Sequence, residues 1–181
     1  MGKTPIVQFH EPSTPDSVLP HITPGTDLVV PLANGEPVSV LDAIEQAIAG
    51  AEKTHAGQIR FAIETSLPLM EVWNDVDPRK HAQAVFAQLG VWNTERNNGV
   101  LIYLQMADRN VEIVADRGVA ACVSAAEWEA VCRLMEGHFR GGRFREGALA
   151  GVEAVGSLLA RHFPAGAGES GNELSDRPVL M

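Results

Sequence analysis

The sequence predicts an α/β fold, a three-layer α/β/α sandwich with a small mixed β-sheet containing a central antiparallel hairpin. Three observations lead there. Residues 100–104, VLIYL, are an unbroken apolar run of β-favouring side chains, as expected of a strand covered on both faces. The polar tetrad Ala107-Asp108-Arg109-Asn110 reverses the chain, and Val111, Ile113 and Ala115 alternate with Glu112 and Val114 in a returning strand. Upstream, a strand at residues 58–64 followed by a helix implies a right-handed parallel crossover into the hairpin.

The remaining elements follow in order. Residues 1–37 carry most of the prolines and read as an extended arm, because each proline removes an amide donor and fixes φ. Its apolar knot, Leu28-Val29-Val30-Pro31-Leu32, suits a sheet edge or a groove. Ser39 and Asp42 resemble a capping box, after which Leu41, Ile44, Ile48 and Ala51 recur at helical spacing until Gly57. Residues 58–64, QIRFAIE, alternate as a strand with Ile59, Phe61 and Ile63 on its buried face. An irregular stretch follows, whose Met70, Val72 and Trp73 are expected to fold back onto the core. Asp77-Pro78 supplies an N-cap and N1 pair, with Ala82, Val85, Phe86 and Leu89 as the apolar stripe and Gly90 as the stop. Ser124 and Glu127 form another capping box ahead of Trp128, Val131, Cys132, Met135 and Phe139. Gly141-Gly142 separates that helix from a last one, which buries Ala148, Val152, Val155 and Leu159. Residues 165–181 hold few large apolar side chains and are expected to be disordered.

Composition narrows the function. A length of 181 residues with 45% hydrophobic content allows one compact domain, residues 38–164, between the arm and the tail. A net charge of −9 opposes non-specific binding to nucleic acid or an anionic membrane. Arg140, Arg143 and Arg145 are the local exception and read as a solvated helix end. Cys122 and Cys132 have no CxxC spacing and read as two small buried thiols. With no transmembrane run and no signal-peptide core, a cytoplasmic location is the expectation. Residues 166–171 match GxGxxG letter for letter, but they follow a helix and enter a polar tail, which is the wrong context for a dinucleotide loop.

Antiparallel pairing places the entry of the first hairpin strand beside the exit of the second. Asn97, Asn98, Asp116 and Arg117 therefore meet at one end of the sheet, and Gln58 reaches the same end if its strand is parallel. These five are the candidate ligand-binding residues. Asn98 and Asp116 offer hard oxygens suited to Ca²⁺ or Mg²⁺, and Arg117 a fork suited to phosphate. The other reading of the same residues is hairpin capping with a surface ion pair. Glu64, Asp108 and Arg109, at the opposite end, are a second candidate set, since ligands of open α/β sheets sit at the carboxyl ends of parallel strands.

Residues 41–164 resemble the TPM domain family, through IEQAIAGAEKTHAGQIRFAIE at the first helix and strand and VWNTERNNGVLIYLQMADRNVEIVADRGV at the centre. The resemblance is to its short bacterial members, and it implies an α/β/α sandwich with a small mixed sheet. It also implies divalent cation binding and an accessory role toward a protein partner in membrane-associated complexes, without strong catalysis. The alternative it implies is a metal-assisted acid phosphatase. Gln58 stands where the family usually has Glu, and an Asp-rich motif ahead of the first helix is missing. Both differences imply weak cation binding.

Overall fold

The computed structural model describes residues 37–65, 77–166 and 171–181. The arm up to residue 36 and the stretch holding Met70, Val72 and Trp73 lie outside the described residues. In chain order the elements are α1 (Pro37–Ala51), β1 (Gln58–Glu64), α2 (Pro78–Gln88), β2 (Gly99–Gln105), β3 (Asn110–Ala115), α3 (Arg117–Ala120), α4 (Ala125–Arg140), α5 (Phe144–His162) and β4 (Val179–Leu180). The sheet order is β3-β2-β1-β4. β1 runs parallel to β2 and β4, and β2 runs antiparallel to β3, so the sheet is mixed.

Local signals set most element ends. The Asp77 side chain accepts from the Arg79 amide at 3.0 Å with proline in the first helical turn, and Gly90 follows α2 at φ +66°. Ser124 and Glu127 cap each other's backbone in a complete capping box at the start of α4. α1 begins at Pro37, ahead of the expected cap at Ser39, because proline is preorganised for the first turn. α3 is a single turn capped by Asp116, too short to show an apolar period in the sequence.

Two apolar layers enclose the sheet. Ile59, Phe61, Ile63, Val100, Ile102, Leu104, Val111 and Ile113 belong to the layer built with α1, α3, α4 and α5. Ala62, Leu101, Tyr103 and Val114 belong to the other, built with α2 and Val91. Every residue of β2 is buried, as its continuous apolar run predicts. β1 is buried on both faces rather than on one. Its alternation misleads because β4 flanks it, while Leu174 and Met181 join α2 over its second face. Helices α4 and α5 approach closely at Gly147 and Gly151. A Cβ at these positions would lie 2.5 Å from Phe139 Cε1 and 2.3 Å from Met135 Sδ.

Residues 171–181 of the tail depart from its expected disorder, and residues 167–170 lie outside the described residues. From Glu173 to Met181 the tail follows the outer edge of β1. Gln58 Oε1 accepts from the Glu173 and Leu174 amides at 2.7 and 3.1 Å, and Met181 N donates to Ile63 O at 2.9 Å. Composition could not reveal this, because what holds the tail is largely hydrogen bonding to its backbone from the side chains and edge of β1, not its own apolar content.

Candidate functional site

The parallel register pairs Gln58 with Gly99, and the antiparallel register pairs Val100 with Ala115. Asn97, Asn98, Asp116, Arg117 and Gln58 are therefore brought to one end of the sheet, as the sequence predicts. Two glycines allow the close approach. A Cβ on Gly99 would stand 2.1 Å from the Val91 carbonyl oxygen, and one on Gly118 would stand 2.5 Å from that of Asn97. Gly118 N also donates to Asn97 O at 3.1 Å, so the two loops are joined through backbone.

Each side chain has a distinct role there. Asn97 takes a left-handed conformation at φ 52°, which asparagine tolerates, and its Oδ1 accepts from Arg117 Nε at 2.8 Å. Asn98 is fully buried; its amide donates to Thr94 Oγ1 at 3.0 Å and its Nδ2 to the Ala56 carbonyl. Its Oδ1 has no hydrogen-bond partner. Asp116 caps α3 by accepting from Arg117 N at 2.7 Å through Oδ1, while its buried Oδ2 has none. Arg117 is exposed. Gln58 is buried and its carbonyl oxygen is engaged by the two tail amides.

Sequence reading missed Thr94, Glu52 and Glu173. Thr94 is buried and also accepts the Asn97 amide through its carbonyl at 3.2 Å; the signal for it was its spacing, one helical turn ahead of Asn98. Glu173 Oε2 accepts from Glu95 N at 2.8 Å, linking the tail to the loop before β2. Glu52 Oε1 accepts from the Ile59 amide in β1 at 2.8 Å. Burial pushes the Glu52 carboxyl up to about 7, against the lowering effect of that hydrogen bond, and Asp176 raises it further. The folded chain therefore holds this proton more tightly than the unfolded chain does. Its contribution is fully present below about 4.5 and is lost as pH rises to about 7. Thermal midpoints measured from pH 4.5 to about 7 should accordingly fall more steeply for the wild type than for Glu52→Gln. Parallel profiles would show that the carboxyl is unperturbed.

The opposite end is arranged differently. Glu64 is buried, with the Tyr103 hydroxyl donating to its Oε2 and His81 Nε2 lying 3.1 Å from the same oxygen. Asp108 and Arg109 are exposed on the hairpin turn, so the second candidate set divides into a buried and a solvated part. Cys122 is exposed rather than buried, and Cys132 is half-buried; both are free thiols. Burial, reinforced by Glu112 and Glu136, pushes the Cys132 thiol up to about 12, which leaves it protonated and unreactive at neutral pH. Among the described residues no group of three or more His, Cys, Asp or Glu side chains is placed to hold a metal. A cation at the hairpin end would thus rest on one carboxylate, a carboxamide and water.

The model of the TPM domain family matches residues 39–158, which takes in both hairpin strands and the site. The chain is a member of the TPM domain family. Three solved structures share this TPM fold. The BA42 protein of the psychrophilic bacterium Bizionia argentinensis is 30% identical, with a TM-score of 0.71 over 82% of this chain and 97% of that one. The N-terminal domain of a P. gingivalis protein is 20% identical, with a TM-score of 0.59 over 75% of this chain and 85% of that one. An N-terminal domain from Corynebacterium glutamicum, also 20% identical, reaches 0.50 over 74% and 76%. No curated protein matches in sequence. Among the described residues of this TPM domain, no helix is long and apolar enough to cross a membrane.

Proposed function

We propose that this TPM domain is an accessory module that binds a divalent cation, Ca²⁺ or Mg²⁺, weakly at the hairpin end and presents that end to a protein partner. The observation that carries the reading is the pair of buried oxygens, Asn98 Oδ1 and Asp116 Oδ2, that have no hydrogen-bond partner. Leaving a buried acceptor unsatisfied costs about 1–3 kcal/mol, and a hard cation that reaches either oxygen removes its cost. Trp92 supports the partner: it is 55% exposed on the loop that leads into the site, and aromatic side chains are enriched at interfaces.

With a single carboxylate the affinity should be low, a Kd of roughly 10⁻⁴ to 10⁻³ M. An NMR titration with CaCl₂ and MgCl₂ tests this on the wild type and on Asp116→Asn. Shifts at Asn98, Asp116 and Arg117 that vanish in the variant are the expected result. Equal binding by the variant, or none by either protein, removes the cation from the reading. Arg117 favours the second reading, a metal-assisted phosphomonoesterase, because its exposed guanidinium uses only Nε within the site and can face a phosphate. Release of phosphate from an aryl phosphate, lost in Arg117→Ala, would select that reading over the accessory one.

A further inference from the structure

The outer edge of β1 is covered from one end to the other by a single extended segment. Near its start, Gln58 Oε1 receives the Glu173 and Leu174 amides. In the middle, Arg60 Nη1 donates to the Ser175 carbonyl and, at 2.9 Å, to that of Arg177. Farther on, Ala62 and Ile63 pair in parallel with Val179 and Leu180. Past the end, Thr65 donates to Met181 O from both N and Oγ1 at 3.1 Å. Leu174 and Met181 seat their side chains against the layer of Ala62, Leu101 and Tyr103. Almost all of these contacts address the segment's backbone, and two apolar anchors fix its register. That is the recognition mode of a strand-addition groove.

The segment also lies outside the residues that define the family, 39–158, whereas the edge it covers lies within them. The ladder it makes is short, with β4 only two residues long, so it is held by far fewer contacts than the strands inside the sheet. We propose that the outer edge of β1 is a strand-docking groove which the chain fills from within by residues 172–181, and that the same segment of a second copy is its partner in trans. The identical sequence makes identical contacts in either arrangement. What favours the closed form is the high effective concentration of a tethered segment, on the order of millimolar.

Two complementary full-length variants remove that advantage. Arg60→Ala weakens the groove and keeps the tail; Leu174→Asp with Met181→Asp weakens the tail and keeps the groove. Mixed, the intact tail of the first has the intact groove of the second as its best seat. Sedimentation should then show a complex of the two chains that neither forms alone at the same concentration. Two folded variants that stay monomeric on mixing would overturn the proposal. If either variant fails to unfold cooperatively, the wild type decides. A synthetic peptide, GNELSDRPVLM, should displace the tethered segment of isotope-labelled wild type and so shift the amides of residues 173–181 at roughly millimolar concentration. Absence of shifts there, or shifts confined to the β3 edge, would overturn it equally.

Discussion

Gly99→Ala should weaken the fold by about 3 kcal/mol, at the top of the range for over-packing a close-packed interior. The added methyl would stand 2.1 Å from the Val91 carbonyl oxygen and 3.0 Å from its Cγ1. The obstacle is backbone, so no rotamer change relieves it. Neither side can retreat easily: Val91 is fully buried, and Gly99 O accepts the Asp116 amide at 2.8 Å while its strand pairs with Gln58. Pushing them apart would separate the loop that carries Asn97 and Asn98 from the turn that carries Asp116 and Arg117. Differential scanning calorimetry should show a midpoint lowered by roughly 6–12 °C for a domain of this size. A shift within about 1 °C would mean that the Val91 loop moves freely and that the site is not rigidly built.

Ile102→Ala should cost about 2–5 kcal/mol, the range for emptying a buried aliphatic site. Ile102 is fully buried at the middle of β2, paired with Phe61 on one side and Ile113 on the other. It lies in the layer packed by α4 and α5, and elements holding it on every side leave little room for collapse into the cavity. Urea unfolding of the variant should keep the wild-type slope and move the midpoint down. A loss below about 1 kcal/mol would place the residue at a tolerant surface rather than at the centre of the sheet.

The hairpin, the parallel crossover and most of the core were legible because their signals are local. VLIYL is apolar on both sides of the strand, Asp77-Pro78 and Ser124 with Glu127 are complete capping pairs, and helix stripes repeat within a few residues. The convergence of Asn97, Asn98, Asp116 and Arg117 followed from antiparallel geometry alone. Gln58 was legible in place but not in role. Its position at the hairpin end follows from parallel pairing, whereas the two amides that occupy its oxygen belong to Glu173 and Leu174, more than a hundred positions away in the sequence.

Hydrophobic period and capping chemistry are properties of neighbouring residues, and they suffice for the layered architecture and the buried strand at its centre. Packing in three dimensions settles the rest: which oxygens are left unpaired, why Gly99 and Gly118 have to be glycine, and where the tail lies. Those outcomes depend on which backbone groups are already used when distant segments meet. The edge of residues 58–64, with its Gln58 and Arg60 side chains, holds residues 173–181 mainly by their N–H and C=O groups, which nearly every residue carries, so the tail's own side chains announce little of it.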